Sequence, residues 1–273
     1  MYSFTDKGGR EVALRPEGTA SSVRAFLEAK LYNVQNITKW YYYGPMYRYE
    51  APQKGRYREF YQTGLECFGV RDPFLDAQII SIACEFLEKL GIKNLIVEIN
   101  SLGNIESRKK YIADLQKYLI ANYEALSENS KVRCYKNPLR VLDSKEDDEI
   151  VANAPKLHDY FDEESKEYFD KVLNYLDKFK INYIINDKLV RGLDYYSDTV
   201  FEIKSNLLGA QATVLGGGRY DKLIEYLSNK SVPAIGFAAG IERIMLLLDE
   251  TLLPKPKHKI FIAYFEETKD YLF

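Results

Sequence analysis

The chain has 273 residues, 46% hydrophobic and 29% charged, a globular balance that can bury a sizeable core and is unlike that of a disordered chain. Its 38 Lys and Arg against 40 Asp and Glu leave a formal net charge of -2, which excludes attachment to nucleic acid by bulk positive charge and leaves room for a local basic patch. The longest strongly apolar run, Ala234 to Ile241, stops at Glu242 and Arg243, far short of the roughly 20 apolar residues that span a bilayer, and the first residues lack the charge and apolar stretch of a signal peptide.

Residues 10–15 read as a short strand, Pro16-Glu17-Gly18 as a turn, and 19–30 as a helix with Thr19 as its N-cap. The Trp- and Tyr-rich stretch 38–50 reads as a strand, Ala51-Pro52-Gln53-Lys54-Gly55 as a turn, and 58–68 as the returning strand. Asp72-Pro73 opens a helix over 74–90 that Gly91 stops, and 95–100 is a further strand. From 103 to 188 Lys, Glu and Asn become dense and helical patterns dominate, at 106–122 and 163–180. This reads as an inserted helical module over 104–186, with the acidic run 144–149 as a solvated face. Strand character returns at 199–203 and 211–215, followed by a glycine turn at Gly216-Gly217-Gly218 and an apolar helix over 240–248. Pro254-Lys255-Pro256-Lys257 has linker composition, and 260–265 is a lone strand. Hairpin strands with helices grouped elsewhere predict an α+β fold.

Chemistry concentrates in five places. On the long hairpin, alternation puts Gly44, Met46, Arg48 and Glu50 on one face of the first strand and Phe60, Gln62, Gly64 and Glu66 on one face of the second. If these faces coincide, Arg48, Glu50, Gln62 and Glu66 converge over a floor left open by Gly44 and Gly64. Such a face is either solvent-exposed or a polar pocket, and alternation alone favours exposure. The connecting loop carries Lys54, Arg56 and Arg58, a basic tip suited to phosphate. In the run Arg191-Gly192-Leu193-Asp194-Tyr195-Tyr196, the tyrosines could be simple packing, and Arg191 an ion-pair partner of Asp194. Gly216-Gly217-Gly218-Arg219-Tyr220-Asp221 resembles an anion cradle but lacks a Walker or dinucleotide pattern, so a bare turn is the better reading. The small residues from Gly236 to Gly240 admit close backbone approach, and Arg243 beyond them needs a partner, either a bound anion or Glu242. Cys67, Cys84 and Cys134 form no Cys-x-x-Cys pair and His158 and His258 are the only histidines. No protein-bound structural metal is expected, and reduced thiols in the cytoplasm are.

In their joint order these segments resemble the histidyl-tRNA synthetases, a class II aminoacyl-tRNA synthetase family. Tyr47-Arg48-Tyr49-Glu50 through Arg56, Phe60 and Glu66 is similar to motif 2, and Gly236 through Arg243 to motif 3. Leu14-Arg15-Pro16-Glu17-Gly18-Thr19, Arg191 through Tyr196 and Gly216 through Asp221 resemble the histidine-specific segments. The resemblance implies an antiparallel sheet flanked by helices. Catalytic-core parts are expected at 1–103 and 187–253, the insertion at 104–186, and a linker with the first strand of an anticodon-binding domain at 254–273. By this reading the chain is a catalytic-core fragment without motif 1 and most of that last domain.

The activity so implied is the joining of histidine to ATP as histidyl-adenylate, with release of pyrophosphate and transfer to the terminal ribose of the tRNA for histidine. Arg48 and Arg191 would hold the α-phosphate from opposite sides, Phe60 and Arg243 would sandwich the adenine, Glu50 would contact its amino group, and Arg56 would reach the distal phosphates. Glu17, Thr19 and Gln62 would bind histidine near its amino group, Glu66 and Tyr196 would bind the imidazole, and Tyr195 would wall the pocket. Mg2+ is expected with ATP, and a homodimer away from any membrane is implied for the full-length protein. The rival reading is a synthetase-like regulatory subunit of ATP phosphoribosyltransferase, which typically loses the adenylation residues. Arg48, Arg191, Tyr195, Tyr196 and Arg243 are all present here. A synthetase for another amino acid would leave the Arg-Gly-Leu-Asp-Tyr-Tyr run unexplained.

Overall fold

The computed structural model describes residues 1–142, 144–190, 195–249 and 251. The expected linker and strand at 254–265 lie outside the described residues, as do Arg191 to Asp194.

Strands β1 (Ser3–Thr5) and β2 (Glu11–Ala13) form an antiparallel ribbon. Helix α1 (Thr19–Glu28) precedes the long hairpin of β3 (Thr38–Tyr47) and β4 (Glu59–Phe68), and α2 (Pro73–Lys89) precedes β5 (Leu95–Ser101). Helices α3 (Ile105–Ala121), α4 (Glu128–Lys136), α5 (Asp148–Ala152) and α6 (Glu163–Lys178) follow, then β6 (Tyr183–Ile185) and β7 (Ser197–Ser205). The last described elements are β8 (Thr213–Arg219), α7 (Asp221–Leu227), β9 (Ala234–Gly240) and α8 (Ile241–Met245). The main sheet has seven strands in the order β3-β4-β9-β8-β7-β5-β6. Every pairing in it is antiparallel except β5 with β6, so the fold is α+β, an antiparallel sheet flanked by helices.

One face of the sheet is packed under α2 and α6. Apolar positions of α6 at Tyr168, Phe169, Val172 and Leu176 recur on one side of the helix and meet Ile79, Ile80 and Leu87 of α2 and Ile99, Phe201 and Ile235 of the sheet. Two elements of the 104–186 stretch therefore belong to the main layers, α6 through this core and β6 through its ladder with β5. Helices α3 to α5 close over a core of their own, with Tyr111, Leu115, Leu119, Cys134, Val141 and Val151 buried, and this core ends on Leu189, Val190, Tyr196 and Val200. On the other face of the sheet α1 and α7 bury Val23, Phe26, Leu223 and Ile224 against Phe68 and Tyr220. Phe26 stacks on Phe68 with ring centroids 4.5 Å apart.

The glycine run is not the turn its composition suggests. Gly216, Gly217 and Gly218 lie inside β8, between β7 and β9. A Cβ on Gly217 would fall 2.2 Å from the Gly236 carbonyl oxygen, so β9 approaches too closely for any side chain there. The helix expected over 240–248 is shorter as well, because β9 runs to Gly240 and α8 covers only Ile241–Met245.

Candidate active site

The ladder register decides which side chains meet. Gln62 stands opposite Gly44 on β3 and Gly240 on β9, Gly64 opposite Tyr42 and Ala238, and Glu66 opposite Trp40 and Gly236. Gly216 on β8 continues the row beside Ala238. The hairpin faces thus coincide as alternation requires, and small residues on β9 and β8 hollow the sheet beside them. Exposure, which alternation alone favours, is not the outcome. Glu17 and Thr19 at the start of α1 and Tyr195 and Tyr196 before β7 close over this face and make it a cleft. The floor is not open at Gly64 either, because a Cβ there would fall 2.3 Å from the Tyr42 ring, which lies across it.

One part of the cleft gathers three arginines, with the carboxylates of Glu50 and Glu242 among them. Arg48, Arg56, Arg243 and Phe60 all line it. Arg48 lies 4.9 Å over the Phe60 ring and donates from Nε to the Pro16 carbonyl at 2.8 Å. Arg56 pairs with Glu50 across the hairpin loop. Arg243 donates to the Gly55 carbonyl at 3.0 Å and to the Thr213 carbonyl at 2.5 Å, whereas Glu242 accepts the Tyr61 amide at 2.8 Å. Burial, and then the like charges of Arg56 and Arg48, push the Arg243 guanidinium below its ordinary range. Three arginines held this close favour an anion among them.

The other half is rich in acceptors and phenols. Thr19 is not the N-cap of α1. Gly18 holds that position, and the Glu17 carboxylate does the capping, accepting the Thr19 amide at 2.6 Å and the Ala20 amide at 2.9 Å. That frees the Thr19 hydroxyl to donate to Glu66 Oε1 at 2.7 Å. The Tyr195 hydroxyl reaches Glu17 Oε2 at 3.5 Å, and the Tyr195 and Tyr196 rings lie 4.9 Å apart. Gln62 Oε1 is buried with no hydrogen-bond partner among the described residues. A buried acceptor left in that state costs free energy until a donor arrives.

Glu66 differs from the expectation that it lines the cleft with Arg48 and Gln62. It is wholly buried on the same sheet face, between the cleft and the α1/α7 core, with Thr19 on one oxygen and the Tyr220 hydroxyl on the other. A Cβ at Gly236 would fall 2.0 Å from its Oε2, so the glycine makes its space. Burial pushes the carboxyl up to about 8, against the lowering effect of the Tyr220 and Thr19 bonds. Glu66 is therefore largely protonated at neutral pH. The protonated carboxyl has one O–H to donate, and its carbonyl oxygen can still accept a second donor.

Of the residues singled out in the sequence, the structure gathers Glu17, Thr19, Arg48, Glu50, Arg56, Phe60, Gln62, Tyr195, Tyr196 and Arg243 around one cleft and sets Glu66 beside it, bonded to Thr19. Arg191 lies outside the described residues. The sequence reading missed Tyr42 and Thr213 in the lining, named Glu242 only as a candidate partner of Arg243, and named Tyr220 only within the glycine-run segment, without its bond to Glu66. Tyr42 shares strand parity with Gly44 and could have been found by the same rule. The Tyr220 bond to Glu66 gives no local signal, because it joins positions far apart in the chain.

A mostly antiparallel sheet of this order, with the cleft over its long hairpin, is the catalytic-core fold of a class II aminoacyl-tRNA synthetase. The family model for histidyl-tRNA synthetase matches residues 1–244. The chain is 50% identical over 266 residues to the chloroplastic histidine–tRNA ligase of Gracilaria tenuistipitata var. liui, covering 96% of this chain and 63% of that protein. It is also 50% identical to the histidine–tRNA ligase of Halothermothrix orenii, covering 97% of this chain and 64% of that one. The crystal structure of apo S. aureus histidyl-tRNA synthetase superposes with a TM-score of 0.74 at 38% identity, over 93% of this chain and 62% of that chain. A Bacillus halodurans structure described as an ATP phosphoribosyltransferase regulatory subunit/histidyl-tRNA synthetase reaches a TM-score of 0.62 at 22% identity, a likeness of fold alone. The chain belongs to the histidyl-tRNA synthetase family. It spans somewhat under two thirds of the length of the curated relatives it matches.

Proposed function

We propose that the protein carrying this chain is a histidine–tRNA ligase and that the cleft binds ATP and histidine side by side. The observation that carries this reading is the division of one cleft into two chemically opposed halves. Arg48, Arg56 and Arg243 with Phe60 suit an anionic nucleotide and its aromatic base, and Glu17, Gln62 and the tyrosines suit an ammonium group and an imidazole.

A carboxylate oxygen of histidine attacks the α-phosphorus, a new P–O bond forms, and the bond to the bridging oxygen breaks as pyrophosphate leaves. Charge shifts onto the phosphoryl oxygens, so catalysis is positioning and electrostatics. Arg48 holds the α-phosphate, and Arg191 holds it from the other side. Phe60 and Arg243 sandwich the adenine and Glu50 contacts its amino group. Arg56 turns from Glu50 toward the distal phosphates. The histidine ammonium donates to Glu17 and to Gln62 Oε1, which has no partner among the described residues, with Thr19 beside it, while Glu66 and Tyr196 take the imidazole nitrogens and Tyr195 walls the pocket. A site that pairs both ring nitrogens rejects analogues lacking them by roughly 10⁴ or more. In the second step the terminal ribose hydroxyl of the tRNA for histidine attacks the carbonyl carbon and AMP leaves. Magnesium enters with ATP as part of the substrate.

The homodimer implied by the family resemblance is part of the same proposal, and the exposed tyrosines Tyr41 and Tyr43 on the outer strand β3 support it. No described helix is long and apolar enough to cross a membrane. The free thiols Cys67, Cys84 and Cys134 support a place in the reducing cytoplasm. Amino-acid-dependent ATP–pyrophosphate exchange tests the function: histidine is expected to drive exchange and the other amino acids are not. Histidine binding without exchange would favour the regulatory-subunit reading instead.

A further inference from the structure

Tyr196 belongs to two environments at once. Its side chain lines the cleft, and it is also part of the core closed by α3 to α5, where it is only 8% exposed. Its main chain is held from the same side. Arg108, in the first turns of α3, donates from Nη1 to the Tyr196 carbonyl at 2.7 Å. Two residues further on, Asp198 exchanges backbone bonds with the residues that lead into α3: the Leu102 amide donates to its carbonyl at 2.7 Å and its own amide donates to the Gly103 carbonyl at 3.3 Å. Helix α3 is fixed in turn at its start, where the Asn104 side chain accepts the Ser107 amide at 2.8 Å.

We propose that Arg108 is a positioning residue for the amino-acid half of the cleft, acting through the Tyr196 backbone. The guanidinium fixes the peptide plane after Tyr196 and with it the direction in which the tyrosine leaves the chain. A charge-assisted bond to a carbonyl is strong and directional enough to do this. Displacing a binding group by about 1 Å costs roughly 10²-fold, so a residue that never touches substrate can set its affinity. The inserted helical layer thereby becomes part of the frame of the pocket. This inference rests on the reading of Tyr196 as a histidine contact.

The test uses the purified protein, with histidine and ATP varied separately in pyrophosphate exchange and histidine binding followed by calorimetry. Arg108→Met should raise the KM for histidine by roughly tenfold or more while the KM for ATP stays within about twofold. Arg108→Lys should recover part of the loss, since an ammonium can donate to the carbonyl without the planar fork. Combined with Tyr196→Phe, Arg108→Met should add less than its single effect, because the phenol it positions is already gone. Equal losses for both substrates, an unchanged histidine KM in folded Arg108→Met, or full additivity would overturn the inference. If Arg108→Met does not fold by circular dichroism, Arg108→Gln against Arg108→Lys replaces it, and the same outcomes support or overturn the inference. Tyr196→Phe alone separates the two levels. A normal histidine KM in that variant overturns both the pocket reading and the inference, whereas a raised one beside a normal Arg108→Met overturns only the positioning.

Discussion

Glu66 and Asp76 are both wholly shielded from solvent, on opposite faces of the same sheet, and they are neutralised in opposite ways. Asp76, on α2, accepts from Thr199 at 2.7 Å and Tyr168 at 3.2 Å and forms a buried ion pair with Arg219 at the end of β8. Arg219 also reaches Asp221 at 3.0 Å. Burial works against the Arg219 charge, but Asp76 and then Asp221 outweigh it and hold the guanidinium well above its ordinary range. The described bonds of Glu66 come from two neutral hydroxyls, those of Thr19 and Tyr220, and burial keeps it protonated. Equal burial thus produces a clamp in one place and an adjustable acceptor in the other. The clamp joins α2 to the sheet, and the acceptor sits beside the cleft.

The largest expected effect comes from breaking the clamp. Arg219→Met leaves the Asp76 carboxylate buried without its cation, and such a change costs about 3–5 kcal/mol. Urea denaturation should register that loss in the midpoint, and a loss well below this range would mean that the pair carries little of the fold. The contrast can be sharpened with pH. The Glu66 carboxyl is raised from an ordinary 4.5 to about 8 in the folded protein, so between these values the folded state holds a proton that the unfolded state has lost. Its contribution is fully present below the unfolded value and is lost as pH rises toward the folded one. Wild-type stability should therefore fall relative to Glu66→Gln across that window, by at most about 1.4 kcal/mol per pH unit. A difference that stays flat with pH would mean that Glu66 is ionised when folded. The smallest effect belongs to Tyr220→Phe. Loss of one hydrogen bond costs about 0.5–1.5 kcal/mol, and because the Tyr220 bond lowers the Glu66 carboxyl, its removal should move the upper end of the pH window higher. Stability curves of the single and double variants with Glu66→Gln would reveal that shift.

The long hairpin was legible because its information is local. Alternation and turn residues place β3, β4 and the convergent face, and the ladder pairs them as parity requires. What the sequence hid depends on contacts between distant segments. Gly216 to Gly218 read as a turn because glycine is the commonest turn former, but the reason for glycine at Gly217 is the backbone of Gly236 on the neighbouring strand. The three-residue β6 is defined by its parallel ladder with β5, more than eighty residues earlier, and α6, legible as a helix at 163–180, is placed in the main layers by its docking on α2. In the site, residue types and their gathering were readable, whereas depth was not. Glu66 is buried on the cleft's sheet face because Thr19 and Tyr220 close over it from two other parts of the chain. Thr19 takes that role because Glu17 relieves it of capping α1.

If Glu66, unlike Asp76, is buried for the sake of a ligand, its replacement must show in the handling of histidine. Pyrophosphate exchange by Glu66→Gln, with histidine and ATP varied in turn, reads this out. Replacing one oxygen of the neutral carboxyl by an amide NH2 leaves a buried donor unsatisfied, which costs about 1–3 kcal/mol, roughly fivefold to a hundredfold in affinity. The KM for histidine should rise by that factor while the KM for ATP changes little. Equal increases for both substrates, or a histidine KM that does not move in a folded protein, would contradict the ligand role and return Glu66 to the same structural role as Asp76.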